Sequence, residues 1–135
     1  MRKRIYVFGN SLVEKDTVAL MLAEEFGKIG NSGELKEFEF KVVESLDEVD
    51  EKDLKELWIM DAVKGIDEVK IIEDLGVLET NPVLSGHDFD LGLELKLWKK
   101  LGKLGKVRII GLPSEENPEK LAEIVKNMLY KYQKP

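Results

Sequence analysis

At 135 residues the chain fits one domain, long enough to bury a core and too short for two, so residues 1–135 are expected to form a single unit. Apolar residues at 43% argue against a disordered chain, and a net charge of −6 against nucleic acid as the main partner, since phosphate binding needs a concentrated basic face. The lack of cysteine excludes disulfides, thiolate metal sites and cysteine nucleophiles, and no apolar run reaches the roughly 20 residues of a membrane span.

The N-terminus runs from Met1-Arg2-Lys3-Arg4 into an apolar stretch too short for a signal-peptide core, so a cytoplasmic protein is expected. Within that stretch, Ile5-Tyr6-Val7-Phe8-Gly9 reads as a short buried strand closed by glycine. Val18, Leu22, Phe26 and Ile29, with Met21 beside them, recur at helical spacing until Gly30. Glu39 to Val43 alternates as a second strand, and the acidic stretch from Glu44 to Lys55 reads as a solvated loop or short helix. Leu57-Trp58-Ile59-Met60 is a continuous apolar run, the pattern of a central parallel strand covered on both faces. Val69 to Ile72 is a fourth strand, and residues 74–87, with Gly76, Asn81, Pro82 and Gly86, form a long structured loop. Leu91, Leu95, Trp98 and Leu101 mark an amphipathic helix, Val107 to Gly111 a fifth strand, and Leu121, Ile124, Val125, Met128 and Leu129 the last helix.

Strands and helices thus interleave as β-α-β-β-β-α-β-α. The expected fold is a three-layer α/β/α domain: a mostly parallel, twisted five-stranded sheet with helices on both faces. Lys96, Lys99, Lys100, Lys103 and Lys106 form a local basic cluster. It reads as a solvated helix face running into a strand, with a docking patch for an acidic partner as the alternative.

The common nucleotide and nucleophile signals are missing. Gly9-Asn10-Ser11 does not continue into G-x-G-x-x-G, and there is no G-x-x-x-x-G-K-S/T loop and no G-x-S-x-G elbow. What remains are polar residues at one sheet edge. Ligands of open parallel sheets bind at the carboxyl ends of the strands. Asp61 directly follows the run Leu57–Met60, Asp16 lies near the start of the helix after the first strand, and His87, the sole histidine, precedes the helix starting near Asp88. Two carboxylates and an imidazole suit a borderline divalent ion such as zinc or nickel, and a helix N-terminus would keep His87 neutral and able to bind metal. Each residue also has an ordinary structural reading: Asp16 as a complement to the helix dipole, Asp61 as a turn residue, His87 as a satisfied structural histidine.

In its motifs the chain resembles the hydrogenase maturation proteases, the endopeptidases that trim the C-terminal extension from the large subunit of nickel–iron hydrogenases. The likeness runs from Gly9-Asn10-Ser11-Leu12 and Asp16, through Asp61-Ala62, Ser85-Gly86-His87 and Leu91-Gly92-Leu93, to Val107-Arg108-Ile109-Ile110-Gly111-Leu112-Pro113-Ser114-Glu115. It implies that Asp16, Asp61 and His87 are the catalytic and metal-contacting residues. It implies also that the nickel is carried by the substrate precursor, whose assembled centre the protease recognises. The isolated protein is then expected to be a monomer that is empty or holds an adventitious divalent cation, with the large-subunit precursor as its partner and no nucleic-acid or membrane partner. Glu14-Lys15-Asp16-Thr17 departs from the family's acidic pair followed by glycine, and Glu44-Ser45-Leu46 keeps an acid but lacks the glycines that follow it there. With no protein nucleophile in view, direct attack by water is the expected mechanism. A non-catalytic nickel-binding assembly factor would use the same three ligands, and a small-molecule hydrolase on a related scaffold is a third reading.

Overall fold

The computed structural model describes residues 3–8, 17–31, 37–63, 66–73, 94–113 and 116–131. In chain order these contain β1 (Lys3–Phe8), α1 (Thr17–Asn31), β2 (Phe38–Val43), β3 (Glu56–Val63), β4 (Lys70–Ile72), helical residues 94–100 (α2), β5 (Lys106–Pro113) and α3 (Pro118–Tyr130). The strands form one sheet ordered β2-β1-β3-β5-β4. Four are parallel, and β4 runs antiparallel along β5, pairing Lys70 with Gly111 and Ile72 with Ile109. The mostly parallel α/β fold expected from the sequence is the fold observed.

β3 sits at the centre of the sheet because, Asp61 aside, its residues after the first are apolar. Glu56 is exposed, and every residue from Leu57 to Val63 is buried. Side chains alternate between the two faces of a strand. One face carries Ile5 and Val7 of β1, Trp58, Met60 and Ala62 of β3, and Ile110 and Leu112 of β5. These pack against Val18, Leu22 and Phe26 of α1 and Leu121, Val125 and Leu129 of α3. The other face carries Tyr6, Phe8, Leu57, Ile59, Val107, Ile109 and Ile72, covered by Leu95 and Trp98 of α2 together with Leu46, Val49 and Leu54. Fully burying one such side chain contributes about 1.5–3 kcal/mol, so the sheet is held from both sides.

The helix stripes are narrower than the apolar pattern alone predicts. Met21 is 48% exposed and Ile124 38%, whereas their neighbours Leu22 and Val125 are sealed. Each lies one position off the buried row, which rotates it about 100° away from the sheet. α3 begins sharply because Asn117 accepts hydrogen bonds from the backbone N–H groups of Glu119 (2.8 Å) and Lys120 (3.3 Å), and Pro118 at the first helical position needs no donor partner.

The acidic stretch after β2 folds as two single-turn 3-10 helices, Leu46–Glu48 and Glu51–Asp53. Ser45 and Glu48 form a capping box around the first of these turns. The Ser45 hydroxyl accepts from Asp47 N (3.2 Å), and the Glu48 carboxylate accepts from Ser45 N (3.1 Å) and Glu44 N (2.6 Å). Ser45, one of the departures from the family pattern, therefore caps a turn.

Candidate functional site

β1, β3 and β5 are parallel, so their carboxyl ends share one edge of the sheet. Asp61 lies near that edge, but it does not follow its strand. β3 continues through Ala62 and Val63, and Asp61 is its sixth residue. The strand extends because Asp61, Ala62 and Val63 keep pairing with Gly111, Leu112 and Pro113 of β5. Asp61 is 2% exposed, and among the described residues it is the one buried polar or charged side chain.

The register defines its surroundings. Asp61 stands between Phe8, the last residue of β1, and Gly111 of β5. By strand alternation it shares the face of Leu57 and Ile59, the face covered by α2. Gly111 is a residue whose role the sequence pattern did not single out. A Cβ there would stand 3.3 Å from Val63 Cγ2 and 3.4 Å from the Cδ1 atoms of Ile66 and Ile72. Three aliphatic side chains thus close over the glycine that pairs with Asp61 on the β5 side, and Phe8 pairs with it on the β1 side. A single glycine inside a strand marks a close approach, and that was the available signal.

A carboxylate in such a setting gives up most of its hydration, and the ionised form is favoured there by a cation. A buried position inside β3 is not that of a surface turn residue. Among the described residues no group of three potential ligand side chains gathers. Asp16 and His87, the other two expected ligands, lie outside the described residues, as do Gly9 to Leu12, Ser85, Gly86 and Leu91 to Leu93. α1 starts at Thr17, the residue after Asp16, and runs in the crossover from β1 to its parallel neighbour β2.

The opposite end of the sheet is polar and structural. Arg4 binds the carboxylates of Asp50 and Asp53, the latter at 3.1 Å, and the Tyr6 hydroxyl donates to Asp53 while accepting from Asp50 N at 3.2 Å. Burial raises the Tyr6 phenol above its ordinary value, and the bond to Asp53 adds to the shift. On the other face Glu56 accepts from Lys3 (2.9 Å) and Arg108 (3.1 Å), whose cationic groups lie 5.3 and 5.1 Å from the Trp58 ring centroid. The Lys3 hydrogen bond, foremost, holds the Glu56 carboxyl below its usual range. A groove lined by Met21, Leu22, Glu25, Pro118 and Ala122 runs between α1 and α3, on the side of the sheet away from Asp61.

A mostly parallel five-stranded sheet with helices packed on both faces places the chain among the three-layer α/β folds. Within that class, the chain has the fold of the hydrogenase maturating endopeptidase HybD from E. coli. The two align over 98% of this chain and 91% of that one, with a TM-score of 0.64 and 17% sequence identity. An endopeptidase from Escherichia coli solved in solution is similar to the same degree, with a TM-score of 0.64, 18% identity and coverage of 96% and 90%. An uncharacterised protein from Wolinella succinogenes aligns over 98% of this chain and 96% of its own, with a TM-score of 0.56 and 14% identity. No family model and no curated protein sequence matches the chain.

Proposed function

We propose that this protein is a hydrogenase maturation endopeptidase, which removes the C-terminal extension of a nickel–iron hydrogenase large-subunit precursor after nickel has been inserted. The observation that carries the reading is Asp61, a buried acid near the carboxyl edge of the central strand in a fold shared with a hydrogenase maturating endopeptidase. Asp16 and His87 complete the set, matching the motif positions of the resemblance.

In this reading the nickel is part of the substrate. Asp16 and Asp61 offer anionic oxygens and His87 an imidazole nitrogen, a donor set suited to a borderline divalent ion. Their joint grip on the precursor's metal centre fixes the scissile peptide beside the site and converts recognition into effective concentration. Water then adds to the peptide carbonyl carbon, the C–N bond breaks, and the leaving amine takes up a proton. Burial keeps solvent from competing for Asp61, and without nickel the scissile peptide of a precursor is not fixed beside the site. The enzyme acts as a cytoplasmic monomer.

The test is incubation with nickel-loaded and nickel-free precursor, reading out the C-terminal fragment by mass spectrometry. A fragment from the loaded precursor alone is expected. Equal cleavage of both would remove the nickel-recognition step, and tight binding of the loaded form without cleavage would assign the protein a non-catalytic assembly role.

A further inference from the structure

The outward side of α2 does not match its position on an acidic protein. Its inner side is ordinary: Leu95 is fully buried and Trp98 half-buried against the sheet. Leu97 and Leu101, however, are 55% and 60% exposed, the highest values for large apolar side chains among the described residues. They sit one turn apart, and Leu101 N donates to Leu97 O at 3.0 Å, so the helical spacing that aligns them is maintained.

Lysines flank this pair. Lys100, three residues after Leu97 and next to Leu101, and Lys103 are exposed, and Lys100 makes no ion pair among the described residues. Lys103 is held in place, its Nζ 5.7 Å from the Trp98 ring centroid. The segment leaving the helix is tied down by Gly105 N to Leu54 O and Lys106 N to Lys55 O, both 2.9 Å. Two basic side chains thus stand beside two exposed aliphatic ones on a chain whose net charge is −6.

We propose that this face of α2 docks an acidic surface bearing aliphatic side chains on the protein substrate, at a distance from the reacting bond. The partner rests on the function proposed above; the surface itself does not. Charge complementarity selects an acidic occupant, and the exposed leucines select a protein. A nucleic acid would use phosphate contacts and stacking platforms, and the leucines serve neither. An anionic membrane would be repelled by the rest of the chain, and two leucines on so short a helix give little to insert. Basic groups at the rim of such a contact speed association and fix orientation, and apolar groups inside it slow departure.

The test uses the intact protein and the nickel-loaded large-subunit precursor. Two variants carry the substitutions, Lys100→Glu with Lys103→Glu in one and Leu97→Ser with Leu101→Ser in the other. Each should raise KM for the precursor on the order of tenfold at unchanged kcat, with unchanged thermal unfolding. The charge variant should also lose most of the salt dependence of KM seen in the parent. Unchanged KM in both variants, or a fall in kcat at constant KM, overturns the proposal. So does binding of the parent to phosphatidylcholine vesicles containing one-quarter phosphatidylserine if the variants lose it, which would make the patch a lipid contact. A parent protein that neither binds nor cleaves the precursor overturns the functional reading and the named partner together, whereas normal parental cleavage with indifferent variants removes the docking surface alone.

Discussion

Replacing Asp61 by Asn keeps the side chain's shape and removes its charge, which separates recognition from folding. Asp61 is 2% exposed, so solvent does little to screen what its carboxylate interacts with. Breaking a buried charge interaction by neutralising one partner costs about 3–4 kcal/mol. Applied to the bound precursor, that corresponds to a fall of roughly 10²- to 10³-fold in kcat/KM. The fold should respond much less. Asn occupies the same space between Phe8 and Gly111 and keeps a side-chain oxygen that can accept a hydrogen bond. The unfolding free energy should therefore change by less than about 1 kcal/mol. Urea unfolding and cleavage of the nickel-loaded precursor, measured on the same preparation, decide the matter. Cleavage at the parental rate refutes a role for the carboxylate in holding substrate, and loss of the folded state would show that Asp61 serves the sheet instead.

Tyr6→Phe removes a hydroxyl that donates to Asp53 and accepts from Asp50 N, so it should cost about 1–2 kcal/mol in chemical denaturation at neutral pH. Because burial raises the Tyr6 phenol, its contribution is complete below the unfolded tyrosine value and fades as pH climbs through the folded one, so the parent should lose stability above about pH 10 while the variant stays flatter. Glu56→Gln tests the opposite limb. A carboxyl held low by Lys3 contributes above its unfolded value and loses that contribution as pH falls through the folded one, so parent and variant should differ at pH 7 and converge in acid. Gly105→Ala should destabilise by about 2–3 kcal/mol, since its Cβ would stand 2.2 Å from Lys55 O, a backbone atom that cannot turn aside; a variant with the parent's urea midpoint would refute this packing account.

How much of this the sequence made legible depends on how local each signal is. The run from Leu57 to Met60 identified the central strand because burial on both faces leaves no room for alternation. The same reading ended the strand at Asp61, since a charge looks like the close of an apolar run, whereas the sheet keeps the acid inside β3 through pairing with Gly111. The direction of β4 was implicit in the six residues between Val63 and Lys70, far fewer than a parallel crossover needs. Ser45-x-x-Glu48 is a capping signature written openly in the chain, yet the surrounding acids disguised it as a solvated stretch. The Arg4–Asp50 and Tyr6–Asp53 links span more than forty residues, and no local pattern announces them. For the candidate site, the sequence put Asp61 just beyond the strand near its carboxyl end; its burial inside β3, between Phe8 and Gly111, depends on pairing with distant strands and only the assembled sheet reveals it.

The sheet order has a consequence for the making of the protein. β1, α1, β2 and β3 are all synthesised before the strand that flanks β3 on its other side, because Asp61 pairs with Gly111, fifty residues later. During translation the half-built sheet can form β2-β1-β3, but β3 then remains a bare edge with its acid open to the solvent and to any passing cation. The dry environment of Asp61 arrives only when β5 emerges and docks, followed by the leucines of α3 that clamp the opposite face. A nascent chain therefore cannot bury Asp61 as the folded protein does until β5 has emerged, and premature release would expose an aggregation-prone strand edge.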